Sequence, residues 1–226
     1  MLIFLHIPKT AGVSFYTVIE QQFPNSSIFY QPSWSLDDLR ILRSSRKLLE
    51  IKAIIGHIAY RDAVDVFPDA RFVTFIRDPF ERTYSSYRFL SSEVENPDHK
   101  KVKQLSFSDF IEAGIAGQNL QFDQLASVGP EVHLGWDLKR VDDEITRIFN
   151  SIDYIGLVEF FPECLKILGH KFSWDLDPHV WSHRSGQKRN KNDLSSDNIK
   201  KICELNWKDY ALYGACVNKF VLDRRS

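Results

Sequence analysis

The stretch FLHIPKTAGVSF, residues 4–15, decides how this chain is read. An apolar run from Met1 to Phe4 leads into it, and a helical pattern from Ser14 to Phe23 leads out. That order implies a strand, a tight loop and a helix start, a junction suited to holding an anion, because the helix amino end carries unpaired N–H groups and positive potential. The loop PKTAGVS offers main-chain N–H groups, a cation at Lys9 and hydroxyls at Thr10 and Ser14. Gly12 is expected to let the backbone approach a ligand closely, and Ser14 to cap the helix. The usual nucleotide loop, GxxxxGK[ST], is not present: Lys9 precedes Gly12, and Val13 follows it. Taken alone, the loop is equally an ordinary strand-to-helix turn with a surface lysine.

Outward from this stretch, apolar runs alternate with helical patterns. Strands are expected at 2–6, in SSIFYQP, at 51–57 and 70–79, and at 153–159; His57 ends the third and Pro79 stops the fourth. Between and after them, helical spacing covers SLDDLRILRSSRKLLE, with a cap at Ser35, then FERTYSSYRFLSSEVE, 106–114, 118–126, 137–150 and FPECLKILGHKF, and two closing helices near 194–206 and 208–222. Residues 173–193 read as a long polar loop. Such alternation predicts an α/β fold over residues 1–226 as a single domain, with a central, mainly parallel sheet, right-handed crossovers and flanking helices, nucleotide-kinase-like in layout. Ligands of such sheets sit at the carboxyl ends of strands, where the first loop, His57 and Arg77 fall.

Composition narrows the class. The 226 residues suffice for one substantial core. Twenty-nine Lys and Arg against 30 Asp and Glu argue against a bulk nucleic-acid binder, which carries a net positive field. Three cysteines, Cys164, Cys203 and Cys216, have no metal-like spacing; no metal site is expected, and Cys164 and Cys203 read as small core residues. No run of about 18 apolar residues suggests a membrane span, and His6 and Pro8 break the apolar start. A cytoplasmic location is the expectation.

A second stretch, RFVTFIRDPFERTYSSYRF, places Arg77 at a strand end and Ser85 eight residues later, on the next helix with Arg82 and Arg88. Arg77 suits a bidentate grip on phosphate, with Ser85 as a neutral donor. A structural pairing of Arg77 with Asp78 or Glu81 is the alternative. One loop and one strand-end arginine together suggest two anionic groups on one ligand.

In combination, HIPKTAGVSF and FIRDPFERTYSSYRF resemble the two cofactor motifs of sulfotransferases that use 3′-phosphoadenosine 5′-phosphosulfate (PAPS), with adenosine 3′,5′-bisphosphate (PAP) as product. GHIAY, YIGLVEFFPECLKIL and HRSGQKRNK follow in order and resemble later elements of the carbohydrate sulfotransferases of the heparan sulfate 2-O-sulfotransferase type and their bacterial relatives. The resemblance implies that Lys9 stabilises the bridging oxygen, that the N–H groups of Thr10, Ala11, Gly12, Val13 and Ser14 hold the 5′-phosphate, and that Arg77 and Ser85 hold the 3′-phosphate. It implies Arg184 and Lys188 of the basic loop as further cofactor contacts, and a hydroxyl-bearing acceptor, a carbohydrate by analogy. It also makes His57 the catalytic base, a task suited to histidine near neutral pH. By itself the residue is equally a strand-end cap. The family pattern has a second histidine two residues earlier, where this chain has Ile55. Glu20 and Glu159 are more distant alternatives. His6 reads as a satisfied core or edge residue, and His179 and His183 lie in the long loop. Trp34, Trp136, Trp174 and Trp181 fall in or near loops, as sugar-stacking faces or as anchors. Two rivals remain at this stage: a magnesium-dependent nucleotide kinase, and a nucleotide-binding protein without turnover.

Overall fold

The computed structural model describes residues 1–176 and 191–223. Five strands form one sheet in the order β2-β3-β1-β4-β5: β1 (Leu2–Leu5), β2 (Ile28–Ser33), β3 (Ala53–His57), β4 (Arg71–Ile76) and β5 (Tyr154–Leu157). All four pairings are parallel. The three inner strands are buried along nearly their whole length, as a sheet covered on both faces requires. The chain moves from β1 to one side for β2 and β3, then crosses to the other side for β4 and β5. The strand order therefore reverses between β1 and β4, and a crevice opens beyond their carboxyl ends. Thr74 ties the two strands there, its buried hydroxyl donating to Leu5 O at 2.7 Å.

The helices are α1 (Gly12–Gln22), α2 (Leu36–Ser44), α3 (Tyr60–Val66), α4 (Pro79–Ser92), α5 (His99–Val102), α6 (Phe107–Glu112), α7 (Leu120–Leu125), α8 (Pro130–His133), α9 (Leu138–Ser151), α10 (Phe161–Phe172), α11 (Ser196–Leu205) and α12 (Trp207–Asp223). Local sequence explains several of their boundaries. Ser35 and Asp38 form a reciprocal capping box at α2. At α4, Asp78 accepts from the Glu81 N–H, and Pro79 occupies the first turn, where its missing donor costs nothing. The expected cap at Ser14 is corrected. The α1 helix starts two residues earlier, with Ala11 in the capping position and no side-chain cap. Cys203 is likewise exposed rather than part of the core, while Cys164 and Cys216 are buried.

Aromatic rings join the sheet to its helices. Phe75 of β4 packs against Phe15 of α1 at 4.9 Å and Phe161 of α10 at 4.8 Å, and all three are buried. Gly156 on β5 leaves the room that the Phe75 ring fills. A smaller apolar cluster, including Phe80, Tyr84, Phe107, Phe110 and Ile202, lies under α4, α6 and α11. Phe75→Ala opens a cavity where both helices meet the sheet, at an expected cost of about 3–5 kcal/mol. Urea unfolding tests this: the midpoint falls while the slope stays constant.

Candidate active site

The loop after β1 is bent by two left-handed residues, Lys9 (φ 71°) and Ala11 (φ 63°). Such conformations cost about 1–3 kcal/mol on a non-glycine residue and persist only where the surroundings impose them. Here Thr10 is the peg. It is wholly buried, and both its N–H (3.3 Å) and its hydroxyl (2.8 Å) donate to Ile7 O. The Thr10 donors thus face inward, so the expected contact of its N–H with a 5′-phosphate is not supported. The N–H groups of Gly12, Val13 and Ser14 precede the first acceptor within α1, since Phe15 N–H is the first to bond back, to Ala11 O. Val13 is 81% exposed, so its place in the loop is a main-chain one. Gly12 also has a reason within the protein itself. A Cβ there would lie 1.8 Å from His6 Nε2, so the glycine makes room for a histidine ring of the protein itself.

Arg77 follows β4 directly. Its peptide is clamped at both ends by one side chain: Gln121 Oε1 accepts from Arg77 N–H at 2.8 Å, and Gln121 Nε2 donates to Arg77 O at 2.9 Å. The next N–H, of Asp78, donates to Glu159 Oε1 at 3.0 Å. The Arg77 guanidinium lies 3.7 Å from Glu81. Glu81, Ser85 and Phe89 are successive residues of one α4 stripe, four apart. Glu81 meets Arg77 at one end, and Phe89 carries the Lys9 ammonium at the other, 3.9 Å from its ring centroid. Half-buried Ser85 lies between them. Lys9 thus shares one crevice with Arg77 and Ser85, 68 and 76 positions later in sequence. Lys9 registers the crowding: burial, and next the positive charge of Arg77, push its pKa down from 10.5 to about 8.

His57 ends β3. Its Nδ1–H donates to the carbonyl of His6 at 2.7 Å. A carbonyl only accepts, so Nδ1 holds the proton, and in the neutral ring Nε2 is left with a lone pair. The chemistry available at His57 is that of an oriented base beside the loop after β1. Gly56, before it, admits Trp34: a Cβ would meet Gln31 O at 2.1 Å and the indole at 2.6 Å. The indole N–H donates to Ile55 O at 3.2 Å, so Trp34 is a buried anchor. Tyr60 of GHIAY is buried on Phe72, and Ile55 is in the core.

Of the residues expected at a site, Lys9, Arg77 and Ser85 meet along the α4 stripe, and His57 stands across β1 from β4. Arg82 is wholly buried and donates to Ala116 O and Gly117 O, a scaffold role. Glu159 is engaged with Asp78 N–H, and burial raises its pKa. Arg184 and Lys188 lie outside the described residues, as do His179, His183 and Trp181. Sequence reasoning did not find Gln121, Gln124 or Phe89, and it gave His6 no role at the site. Only Phe89 carried a legible cue, its i,i+4 relation to Ser85.

No protein-family model matches the chain, and no curated protein matches it. Solved structures do match. The structure of mouse sulfotransferase SULT7A1 complexed with PAP superposes with a TM-score of 0.58 at 12% identity, over 98% of this chain and 88% of that one. A sulfotransferase from Alicyclobacillus acidocaldarius gives 0.44 at 13% identity, over 93% and 95%. The fold is that of the sulfotransferases.

On this sulfotransferase fold Lys9 is a partly buried cation that also feels the positive charge of Arg77. Its folded-state pKa lies below the unfolded one, so the unfavourable contribution is complete below about pH 8 and is relieved as pH rises toward 10.5. Lys9→Met keeps the packing on Phe89 and removes the charge. The ligand-free protein is then expected to gain on the order of 1 kcal/mol at pH 7, after screening by solvent. Urea midpoints measured from pH 7 to 10 check this, and the gain should shrink above pH 8.

Proposed function

We propose that this chain is a PAPS-dependent sulfotransferase, acting as one domain, that moves a sulfuryl group to an acceptor hydroxyl, on a carbohydrate by the resemblance of its motifs. The observation that carries this is the convergence of Lys9 and Arg77, two cations on two different strand ends, on one stripe of α4 with Ser85 between them. Two cations on different strand ends, the helix-start N–H groups of Gly12 to Ser14, which have no acceptor within α1, and a serine suit a ligand with two separate anionic ends. The residues present therefore fit PAPS, and the PAP named for the mouse neighbour agrees with that fit.

When bound, the donor supplies an activated sulfuryl group. The helix start at Gly12, Val13 and Ser14 holds its 5′ end, with Thr10 and Ala11 shaping the loop. Arg77 and Ser85 hold the 3′-phosphate. Lys9 places positive charge where the leaving oxygen gains negative charge, which favours the transition state over the ground state. His57 accepts the acceptor's hydroxyl proton at Nε2, because Nδ1 is already committed to His6 O. Arg184 and Lys188 complete the cofactor contacts in this proposal. No magnesium step is assigned, since the fixed cations supply the charge.

Calorimetry of PAP beside ADP, with and without magnesium, tests the two-anion site. PAP should bind better than ADP without metal, and Arg77→Ala should weaken PAP by about 10- to 100-fold while leaving ADP nearly unchanged. Equal affinity for ADP, or a magnesium requirement, would favour a kinase-like protein instead. His57→Ala should bind PAP normally and lose about 10²–10⁴ in turnover on a panel of hydroxyl acceptors. Unchanged turnover would remove His57 from the chemistry.

A further inference from the structure

His6 sits at the meeting point of the loop and the base. Its N–H donates to Gly56 O at 3.0 Å. Its carbonyl accepts from His57 Nδ1 at 2.7 Å and from Gln124 Nε2 at 3.0 Å. The register Leu5↔Gly56 along β1 and β3 carries His6 beside His57. The His6 ring stacks on Phe4 at 5.5 Å and lies 4.6 Å from the His57 ring, tilted by 30°. Its far edge occupies the space that a side chain at position 12 would need. The ring is thus bounded by Phe4, by the first residue of α1 and by the imidazole of His57.

We propose that His6 is a positioning residue, whose ring wedges between the Gly12 backbone and the His57 imidazole and fixes the rotation that leaves His57 Nε2 as the acceptor. The backbone carbonyl of His6 chooses the nitrogen; its side chain keeps the ring from turning away from that bond. A ring gripped at one nitrogen and along one face has little freedom about its terminal torsion, which is otherwise broad. The two titratable groups that face His6 are His57 from β3 and Lys9 from the loop, and Gln124 from α7 is neutral. Burial, then these two groups, push the His6 pKa down to about 3, so the wedge is uncharged at working pH and acts through shape. Gly12 is the matching half of the device: any larger residue there would push His6 into His57. Movement of the anion-binding loop would in this way be felt at the base.

The proposal rests on His57 being the base, but its test does not need turnover. The full chain is labelled with ¹⁵N-histidine and saturated with PAP, and two-bond ¹H–¹⁵N correlation reads the His57 tautomer. The wild type should show Nδ1 protonated and Nε2 unprotonated. His6→Ala should show His57 averaged with the Nε2–H form, while PAP affinity by calorimetry stays within about threefold because the Gly12 main chain is kept. An unchanged His57 signature in a His6→Ala protein that binds PAP would overturn the proposal. If His6→Ala fails to fold, His6→Leu, which fills the volume without a flat face, decides between the same two results. A purely structural role for His6 would lower stability and leave the tautomer alone. Loss of the base assignment appears elsewhere, as full turnover in His57→Ala, and so is distinguishable from failure of the wedge.

Discussion

Two glutamines one helical turn apart hold the ends of two strands. Gln121 and Gln124 lie on the same face of α7, three residues apart. Gln121 grips both sides of the Arg77 peptide, and Gln124 donates to His6 O and Ile58 O, both at 3.0 Å. Strand ends at a switch point run out of sheet partners, and their carbonyls and N–H groups would be buried without bonds. The primary amide answers this because it carries a donor and an acceptor on one planar group. Carboxylates at these positions could accept from Arg77 N–H but could not donate to the three carbonyls. One short helix thereby sets the distance between the crevice walls that bear Arg77 and His57.

A helix of six residues does not stand alone, and α7 is fixed from behind by the start of α12. Asp209 is wholly buried and accepts from Phe122 N–H at 2.8 Å and Gln121 N–H at 3.3 Å. Asn119 Oδ1 accepts from Lys208 N–H at 2.9 Å, and Asn206 Oδ1 accepts from Asn119 N–H at 3.1 Å. The Lys208 ammonium, also buried, donates to the carbonyl and the ring of His133. The N–H groups of Asn119, Gln121 and Phe122 are the donors of the α7 amino end, satisfied by residues 87 or 88 positions away. Buried charges bring little net stability, but removing one partner strands the other, which makes such a network exacting about geometry. The precision of the crevice therefore originates in the last helix described.

That dependence marks where sequence reading stopped. Strand and helix alternation was legible because parallel strands are apolar on both faces: LIFL and RFVTFI could hardly be anything else. Lys9, Arg77, Ser85 and His57 were legible because each sits at a fixed offset from a strand end or a glycine. Gln121, Gln124 and Asp209 were not, since nothing in their own neighbourhoods tells that they face strand ends folded from residues far away. Gly12 stands out in the sequence as a place for close approach to a ligand, but that its missing side chain also admits His6 is visible only in the fold. A hydroxyl at Ser14 reads as a cap because such residues favour helix starts; here a left-handed Ala11 begins α1, and the amino end has no side-chain cap. That omission is itself informative, because a capped helix start has fewer N–H groups to offer.

The same logic applies to charge. A structure selected only for stability would not keep Lys9 beside Arg77 in a half-buried crevice, nor hold Lys9 and Ala11 at positive φ. Each is locally unfavourable, and the surroundings oppose their relaxation: Phe89 holds the ammonium over its ring, Glu81 holds the guanidinium at 3.7 Å, and Thr10 locks the turn between the two left-handed residues. None of these partners fully cancels the charge. Phe89 offers a quadrupole rather than an anion, and Glu81 stands too far from Arg77 for a close hydrogen bond. Positive charge is thus held in place within the cleft. An anionic ligand would meet charges whose positioning cost was met when the chain folded, and such preorganisation is what distinguishes a binding site from a basic patch.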